Sequence, residues 1–177
     1  MASTSISGHL ALVGLMGTGK SSVGRILAER MGRELIDTDD LVQGVTGRSI
    51  GELFAGEGEA AFRRYELDSL HRSLTRTEPV VVATGGGVVL TPDARLALGR
   101  DATVVWLRAD PGMLAQRLDG DRRRPLLSGH DPLATLRDLH DHRAPLYAEV
   151  ADVVVDIGHR SADEVADEVL GVLGWQP

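Results

Sequence analysis

Short apolar runs alternate along this chain with longer segments in which apolar and polar residues are mixed. One of these runs, Val80–Val82, is continuous and β-branched, which is typical of a strand that is covered on both faces of a sheet. The runs are His9–Val13, Leu35–Ile36, Val80–Val82, Thr103–Leu107 and Asp152–Asp156. Helical patterns separate them, and strands that alternate with helices indicate right-handed βαβ crossovers. The pattern therefore predicts an α/β fold in which a parallel sheet carries helices on both faces.

The helical segments begin and end at recognisable residues. Over residues 21–31 the apolar positions recur at helical spacing, and Gly32 follows as a stop signal. A long helical pattern over residues 49–74 contains Gly56 and Gly58, at which we expect it to break.

One segment departs from the alternation. Residues 119–131 (DGDRRRPLLSGHD) are polar, rich in Arg and contain Gly and Pro. A long irregular insert in a compact domain is more often functional than decorative, so we expect a mobile lid here. Elsewhere there is no linker, repeat or low-complexity tract, and residues 1–177 are predicted to form a single domain.

Composition narrows the class of protein. Apolar residues make up 42% of the chain and charged residues 25%, as in soluble globular proteins. The absence of cysteine excludes disulfides and thiolate metal sites and is compatible with a reducing cytosol. No apolar run approaches the roughly 18 residues of a membrane span, and the first eight residues lack the features of a signal peptide. We therefore expect a soluble cytoplasmic protein.

The charges have an uneven distribution. The net charge of −7 argues against general affinity for nucleic acid. The chain has 18 Arg but a single Lys, Lys20. Genomic base composition accounts for an excess of Arg, but not for the position of the one Lys.

That Lys lies in a phosphate-binding motif. Residues 14–21 (GLMGTGKS) fit the pattern G-x-x-x-x-G-K-[ST] between a predicted strand and a predicted helix. Glycines allow backbone N–H groups to surround phosphate oxygens, and the helix N-terminus adds its dipole. Lys20 is expected to reach the β- and γ-phosphates and Ser21 to coordinate Mg²⁺. The motif indicates nucleotide binding but leaves the acceptor open.

An acidic pair follows the second predicted strand. In an extended chain Asp37 and Asp39 point to one face, at the carboxyl edge where such sheets bind ligands. A carboxylate there can accept the proton of an attacking hydroxyl or hold magnesium through water. A solvated acidic turn explains the pair equally well. Asp40 is expected to begin a helix over residues 40–45.

Further candidates lie on predicted helices and turns. Arg63 shares a helical face with Glu59 and Glu66, which is also the pattern of a surface salt-bridge ladder. The triplet 85–87 (GGG) allows a ligand to touch backbone, and a simple tight turn is the alternative. Arg143 precedes a Pro within a helical pattern and is either aimed by a kink or an ordinary surface residue.

The insert carries three adjacent arginines, Arg122, Arg123 and Arg124, before Pro125. They form either a solvated charge run or a lid that neutralises charge on a transferred phosphoryl group. The six histidines show no metal-ligand spacing.

These motifs together resemble shikimate kinase. The resemblance runs from about residue 9 to about residue 165 and rests on the order of six stretches: GLMGTGKSSVGR, IDTDD, GRSIGELFAGEGEAAFRRYE, ATGGGVV, RPLL and RAPLY. It implies a three-layer α-β-α kinase fold with a five-stranded parallel sheet and a lid that closes on binding. It also implies transfer of the ATP γ-phosphate to the 3-hydroxyl of shikimate, a step toward aromatic amino acids, and a need for Mg²⁺.

The resemblance implies a role for each matching residue. The residues implied to bind ATP are Gly17, Thr18, Gly19, Lys20, Ser21, Ser22, Arg117, Arg124 and Arg160, with Arg117 and Arg160 against the adenine. The residues implied to bind shikimate are Asp39, Arg63, Gly85, Gly86 and Arg143, the two arginines holding its carboxylate. Lys20, Asp39 and Arg124 are the implied catalytic residues, and Ser21 and Asp37 (through water) the implied metal site. A monomer is expected.

Two other classes of protein remain open on sequence alone. One is another small-molecule kinase of the same fold, such as gluconate kinase or a nucleoside monophosphate kinase. The other is a nucleotide-binding regulatory domain without catalysis. The pair Arg63 and Arg143 favours a carboxylate acceptor, and the presence of Lys20 and Asp39 argues against lost catalysis.

Overall fold

A computed structural model describes residues 7–118 and 131–176. Its sheet has five strands in the order β2-β3-β1-β4-β5, and every neighbouring pair is parallel. The strands are β1 (His9–Val13), β2 (Glu34–Asp37), β3 (Val80–Ala83), β4 (Ala102–Arg108) and β5 (Val153–Asp156). The predicted α/β class and the parallel sheet are confirmed, and each predicted strand is found within two residues of its expected bounds.

Helices connect the strands and cover the sheet. They are α1 (Lys20–Met31), α2 (Thr38–Thr46), α3 (Ile50–Leu74), α4 (Pro92–Asp101), α5 (Pro111–Arg117), α6 (Pro132–Val150) and α7 (Ala162–Val172). A short 3₁₀ turn, Val88–Leu90, follows β3. Among the described residues, no helix is both long enough and apolar enough to cross a membrane.

Local sequence signals explain several of these bounds. Gly32 ends α1 in the left-handed conformation, as predicted, and its N–H bonds back to the helix. Ser49 and Glu52 form a capping box at the start of α3. Only half of the expected glycine break is found: Gly58 has non-helical backbone (φ 80°, ψ 173°), whereas Gly56 is part of the helix.

The acidic run after β2 differs from the prediction. The strand ends at Asp37, and α2 begins directly at Thr38 rather than at Asp40. The reason is a cap: Asp37 Oδ1 accepts a hydrogen bond from Asp39 N at 3.0 Å, which stabilises a helix start at this point. Asp37 and Asp39 therefore do not share one extended face.

The core forms where the sheet meets its helices. All of the residues of β1 and β3 are buried, since these strands lie inside the sheet, and aliphatic side chains of α1, α4 and α7 belong to the same buried cluster. The carboxyl ends of β1, β2 and β3 lie at one edge because their strands are parallel. The phosphate loop, the acidic run and the glycine triplet follow these three ends, so the fold brings the three motifs together.

Candidate active site

The loop between β1 and α1 is an open cradle of backbone. Gly17 and Gly19 have φ of 83° and 84°, a left-handed conformation that glycine adopts without strain. Gly19 is the N-cap of α1, so the helix begins at Lys20 and directs its first N–H groups into the loop. Lys20 Nζ donates to the carbonyl oxygens of Gly14 and Leu15, each at 2.8 Å. The ammonium group is therefore held across the loop, close to the phosphate-binding backbone.

Two further loop residues have different surroundings. Thr18 is buried, and its Oγ1 and its N–H both donate to Leu15 O, at 2.8 and 3.4 Å. Its side chain thus stabilises the turn rather than facing a ligand. Ser22 is exposed in the first turn of α1 and lines the adjoining cavity.

A hydroxyl and a carboxylate meet beside this loop. Ser21 Oγ donates to Asp37 Oδ2 at 2.5 Å, while Asp37 Oδ1 caps α2. The cap fixes the carboxylate, and its second oxygen stays at the entrance to the phosphate loop. A hydroxyl and a carboxylate oxygen are the ligands that Mg²⁺ uses when phosphates and waters complete its octahedron. The donor set fits the predicted metal, and the described residues contain no cluster of three or more acidic or histidine side chains that could hold one instead.

One open cavity of about 510 Å³ joins these groups to the acceptor side. It is lined by Met16, Gly17, Gly19, Lys20, Ser21, Ser22, Asp37, Asp39, Asp40, Gln43, Thr84, Gly85 and Gly86. Asp39 lies on the first turn of α2 and not on an extended strand, yet it still faces this cavity. The phosphate loop and the candidate base therefore share one space.

Arg63 lies on α3 between two carboxylates. Its Nη1 donates to Glu66 Oε2 at 2.7 Å, and its Nη2 donates to Glu59 Oε1 at 3.0 Å. Burial lowers the pKa of the guanidinium, but the ion pairs with Glu66 and Glu59 outweigh burial and raise it. Gly87 lies against the guanidinium, because a Cβ placed there would come within 2.3 Å of Nη1 and Nη2. The pattern of a salt-bridge ladder is thus present, but one of its members is deep in the protein.

Glu66 is that member, with 1% of its surface exposed. Burial raises the pKa of its carboxyl against the opposing effect of Arg63, and the nearby carboxylate of Asp39 raises it further. Its Oε1 has no hydrogen-bond partner among the residues that the structure describes. A Cβ at Gly85 would lie 2.4 Å from this oxygen and 2.9 Å from Asp39 Oδ1. Glycine at position 85 is therefore required for two carboxylates to approach the loop.

The glycine triplet is held from the neighbouring elements. Gly85 N donates to Thr38 Oγ1 at 3.0 Å, and Thr38 is completely buried. Gly86 O accepts from Arg143 Nη1 at 3.1 Å and from the hydroxyl of Tyr147. The triplet forms a tight turn, in which Val88 N donates to Gly85 O at 3.2 Å, and two distant segments, α2 and α6, hold this turn at Gly85 and Gly86.

Arg143 is buried, with 5% of its surface exposed, so it is not an ordinary surface residue. Its helix α6 continues through Pro145 to Val150. Both Arg143 and Arg63 influence the pKa of Glu66 and of Tyr147, which shows that these charged groups form one cluster. The structure therefore brings together Asp39, Arg63, the glycine triplet and Arg143.

Two of these contacts were missed by reasoning from sequence. Thr38 lies between two aspartates, and no sequence pattern distinguishes it from an ordinary polar residue. Tyr147 belongs to the stretch RAPLY, from which the resemblance implies no role for the tyrosine itself. The periodicity of α6 was the available signal, because Tyr147 follows Arg143 by four residues and so shares its helical face.

The arginines predicted for the adenine lie together on the other side of the phosphate loop. Arg117 Nη2 approaches Arg160 O at 3.5 Å, and Arg160 pairs with Glu168. The end of α5 reaches the loop, since a Cβ at Gly17 would lie 3.1 Å from the Leu118 side chain. Arg124 and most of the expected lid lie outside the described residues.

The site and the fold correspond to a known family. A family model described as "Shikimate kinase" matches residues 16–174. A shikimate kinase of Symbiobacterium thermophilum is 47% identical over 164 residues, which cover 92% of this chain and 94% of that protein. The chain belongs to the shikimate kinase family.

Further members of the shikimate kinase family support this. A shikimate kinase of Dechloromonas aromatica is 46% identical over 162 residues, covering 92% of this chain and 88% of that protein. A solved structure of the Acinetobacter baumannii shikimate kinase in complex with shikimate has a TM-score of 0.91 and 38% identity, covering 94% of this chain and 92% of that one. Membership confirms the predicted resemblance and the expected class of enzyme, an ATP-dependent phosphotransferase. It sets aside the gluconate kinase and nucleoside monophosphate kinase alternatives.

Proposed function

We propose that this chain transfers the γ-phosphate of ATP to the 3-hydroxyl of shikimate, giving shikimate 3-phosphate and ADP. The observation that carries the proposal is the joint geometry of the site. The phosphate cradle, Asp39 and the glycine loop line one cavity, and the guanidinium groups of Arg63 and Arg143 contact the same glycine loop at Gly87 and Gly86. Such a cavity suits a small acceptor that carries both a hydroxyl and a carboxylate.

The ATP side of the reaction is assigned to the phosphate loop. The N–H groups of residues 17–22 and the start of α1 surround the phosphates, and the ammonium of Lys20 neutralises charge on the transferred group. To do so Lys20 leaves at least one of its two carbonyl acceptors in the loop. Arg117 and Arg160 pack against the adenine.

The magnesium site is assigned to Ser21 and Asp37, which contact each other. Ser21 Oγ would coordinate the ion and Asp37 would hold it through water. When bound, Mg²⁺ neutralises the charge on the phosphates. Asp37 also keeps α2 in place through its cap, so one residue links the metal site to the helix that carries Asp39.

The acceptor side is assigned to the cluster around the glycine loop. Arg63 and Arg143 present planar guanidinium groups that suit bidentate recognition of the shikimate carboxylate. Backbone at Gly85 and Gly86 contacts the ring. Asp39 accepts a hydrogen bond from the 3-hydroxyl and takes its proton as the phosphoryl group is transferred. Catalysis rests mainly on positioning and charge, because a loose transition state needs little covalent assistance.

Three expectations extend beyond the described site. We propose that residues 1–177 act as one unit, as a monomer in the cytoplasm, in agreement with the absence of cysteine. Light scattering on the purified protein tests the monomer against its mass of 18.9 kDa. The role of Arg124 in a lid stays a prediction from sequence, since that residue lies outside the described ranges.

A coupled assay of ADP release tests the proposed reaction. With Mg²⁺ and ATP, shikimate is expected to give rapid turnover, whereas gluconate and nucleoside monophosphates give none above the ATPase background. Turnover of another acceptor without turnover of shikimate would refute the assignment. ATP binding without turnover of any acceptor would instead favour the regulatory class.

A further inference from the structure

The carbonyl oxygen of Gly86 is the point where three parts of the site meet. On one side Gly86 lies against the phosphate loop, since a Cβ there would be 3.3 Å from Met16 N and 3.4 Å from Gly14 O. On the other side its carbonyl accepts hydrogen bonds from Arg143 Nη1 and the Tyr147 hydroxyl, both on α6. The peptide that begins at Gly86 is thus fixed between the ATP loop and α6.

This peptide carries a second polar group. In a trans peptide the N–H points opposite to the C=O, so the N–H of Gly87 points away from α6. Neither this N–H nor that of Gly86 donates to another described residue. Fixing the Gly86 carbonyl therefore also fixes the direction of an N–H group that remains available to an anionic ligand.

The ring of Tyr147 is fixed by packing, so that the hydroxyl is the part of the side chain that bonds to Gly86. The residue is 1% exposed, and its ring packs on Trp106 of β4 with 5.6 Å between the ring centroids. Burial raises the pKa of its phenol to about 12, with smaller opposing effects from Arg143, so the group is a neutral donor at physiological pH. A buried phenol needs a partner for its O–H, and Gly86 O is that partner.

Tyr147 also acts on Arg143. The two residues are one helical turn apart and share Gly86 O as an acceptor, and Arg143 lowers the pKa of the Tyr147 phenol against the larger effect of burial. Without the hydroxyl, the guanidinium would lose a neighbour and the carbonyl one of its two donors. The orientation of the Arg143 guanidinium relative to Gly86 would then be less restricted.

We propose that Tyr147 is a positioning residue for the acceptor carboxylate, which it serves by fixing the Gly86 peptide and the guanidinium of Arg143. The inference rests on the proposed function, in which Arg143 and the glycine loop bind shikimate. It assigns no direct contact between Tyr147 and either substrate.

The test is Tyr147→Phe, which removes the hydroxyl and keeps the ring on Trp106. Its KM for shikimate is expected to rise about threefold to tenfold, the effect of one neutral hydrogen bond, whereas kcat and the KM for ATP stay within about twofold. Tyr65→Phe is the matched control, since the chain has only two tyrosines and Tyr65 OH approaches Glu57 at 3.4 Å, on α3. The control is expected to leave all three constants unchanged.

A second measurement tests whether the effect of Tyr147→Phe depends on the carboxylate of shikimate. Calorimetric Kd values are compared for shikimate and its methyl ester, which lacks the negative charge. Tyr147→Phe is expected to weaken the binding of shikimate. The same substitution is expected to change the Kd of the ester by less than about twofold. An equal loss with both ligands, or an equal rise in the KM for shikimate and ATP, would assign Tyr147 a general structural role and overturn the proposal.

Three outcomes remain distinct. An unchanged KM for shikimate in Tyr147→Phe, with an active parent enzyme, refutes the role of Tyr147 alone. A parent that does not phosphorylate shikimate refutes the proposed function itself. If Tyr147→Phe does not fold, Tyr147→Met, which also lacks the hydroxyl, decides by the same comparisons.

Discussion

Glu66 lies beneath Arg63 and ties its guanidinium to the protein interior. Glu66 Oε2 accepts from Arg63 Nη1 at 2.7 Å although the glutamate is almost completely buried. Glu59 accepts from the opposite edge of the same guanidinium, but its side chain is 58% exposed. One buried and one solvated carboxylate therefore orient the same arginine, and the two can be separated by mutation.

Glu66→Gln is expected to weaken shikimate binding. The amide keeps the shape of the side chain but removes the buried negative charge that orients Arg63. The KM for shikimate should therefore rise about tenfold or more. Glu59→Gln is the matched control and should change it less than about twofold, because solvent screens an exposed pair. Steady-state kinetics with both substrates measures this. Equal effects of the two substitutions would show that burial does not distinguish the two carboxylates.

Asp39→Asn is expected to lower kcat by about two to four orders of magnitude. Loss of the candidate base removes general-base assistance, which contributes that range in enzymes. ATP affinity should remain nearly intact, since Asp39 faces the acceptor end of the cavity. Asp40→Asn, on the exposed neighbour in the same helix, serves as the control. Equal turnover in the parent and in Asp39→Asn would remove Asp39 from the mechanism.

Gly85→Ala is expected to be far more harmful than a glycine-to-alanine change in a helix. The new Cβ would lie 2.4 Å from Glu66 Oε1 and 2.9 Å from Asp39 Oδ1, so the buried carboxylates must move. We expect a loss of about 1–3 kcal/mol in the free energy of unfolding and loss of shikimate turnover.

Gly99→Ala on α4 is the control for that change. A Cβ at Gly99 meets nothing within 4 Å, and alanine favours a helix by about 0.5–1 kcal/mol. Urea unfolding of both variants measures the two effects. Equal stability of Gly85→Ala and the parent would contradict the close approach at Gly85.

The raised pKa of Tyr147 predicts a loss of stability at alkaline pH. Its phenol titrates near 10 when unfolded and at about 12 when folded. The folded protein therefore holds a proton that the unfolded chain releases, and this contribution is complete below pH 10 and lost as the pH rises through 12. It amounts to about 2–3 kcal/mol.

Denaturation of the parent and of Tyr147→Phe between pH 9 and pH 12 measures this contribution. The difference in stability between the two proteins should shrink with rising pH over the window from about pH 10 to about pH 12. A difference that stays constant across this window would show that the phenol titrates normally.

Local signals in the sequence were sufficient for the elements of the fold. Continuous apolar runs marked the strands, Gly32 marked a helix end, and the phosphate loop was recognisable by its spacing. The predicted start of α2 at Asp40 is wrong because Asp37 can either extend a strand or cap a helix. Its cap and the packing of the following residues decided between the two.

The sequence by itself determined the α/β class, the phosphate loop and the order of the motifs that resemble shikimate kinase. These depend on residues that are close together along the chain or on their order. Only the tertiary structure decided that Glu66 is buried, that Thr38 holds Gly85, and that Tyr147 reaches Gly86 across 61 positions. Contacts between distant segments depend on how parallel strands align their carboxyl ends and on how helices pack against them. No local pattern of residue types specifies those distances.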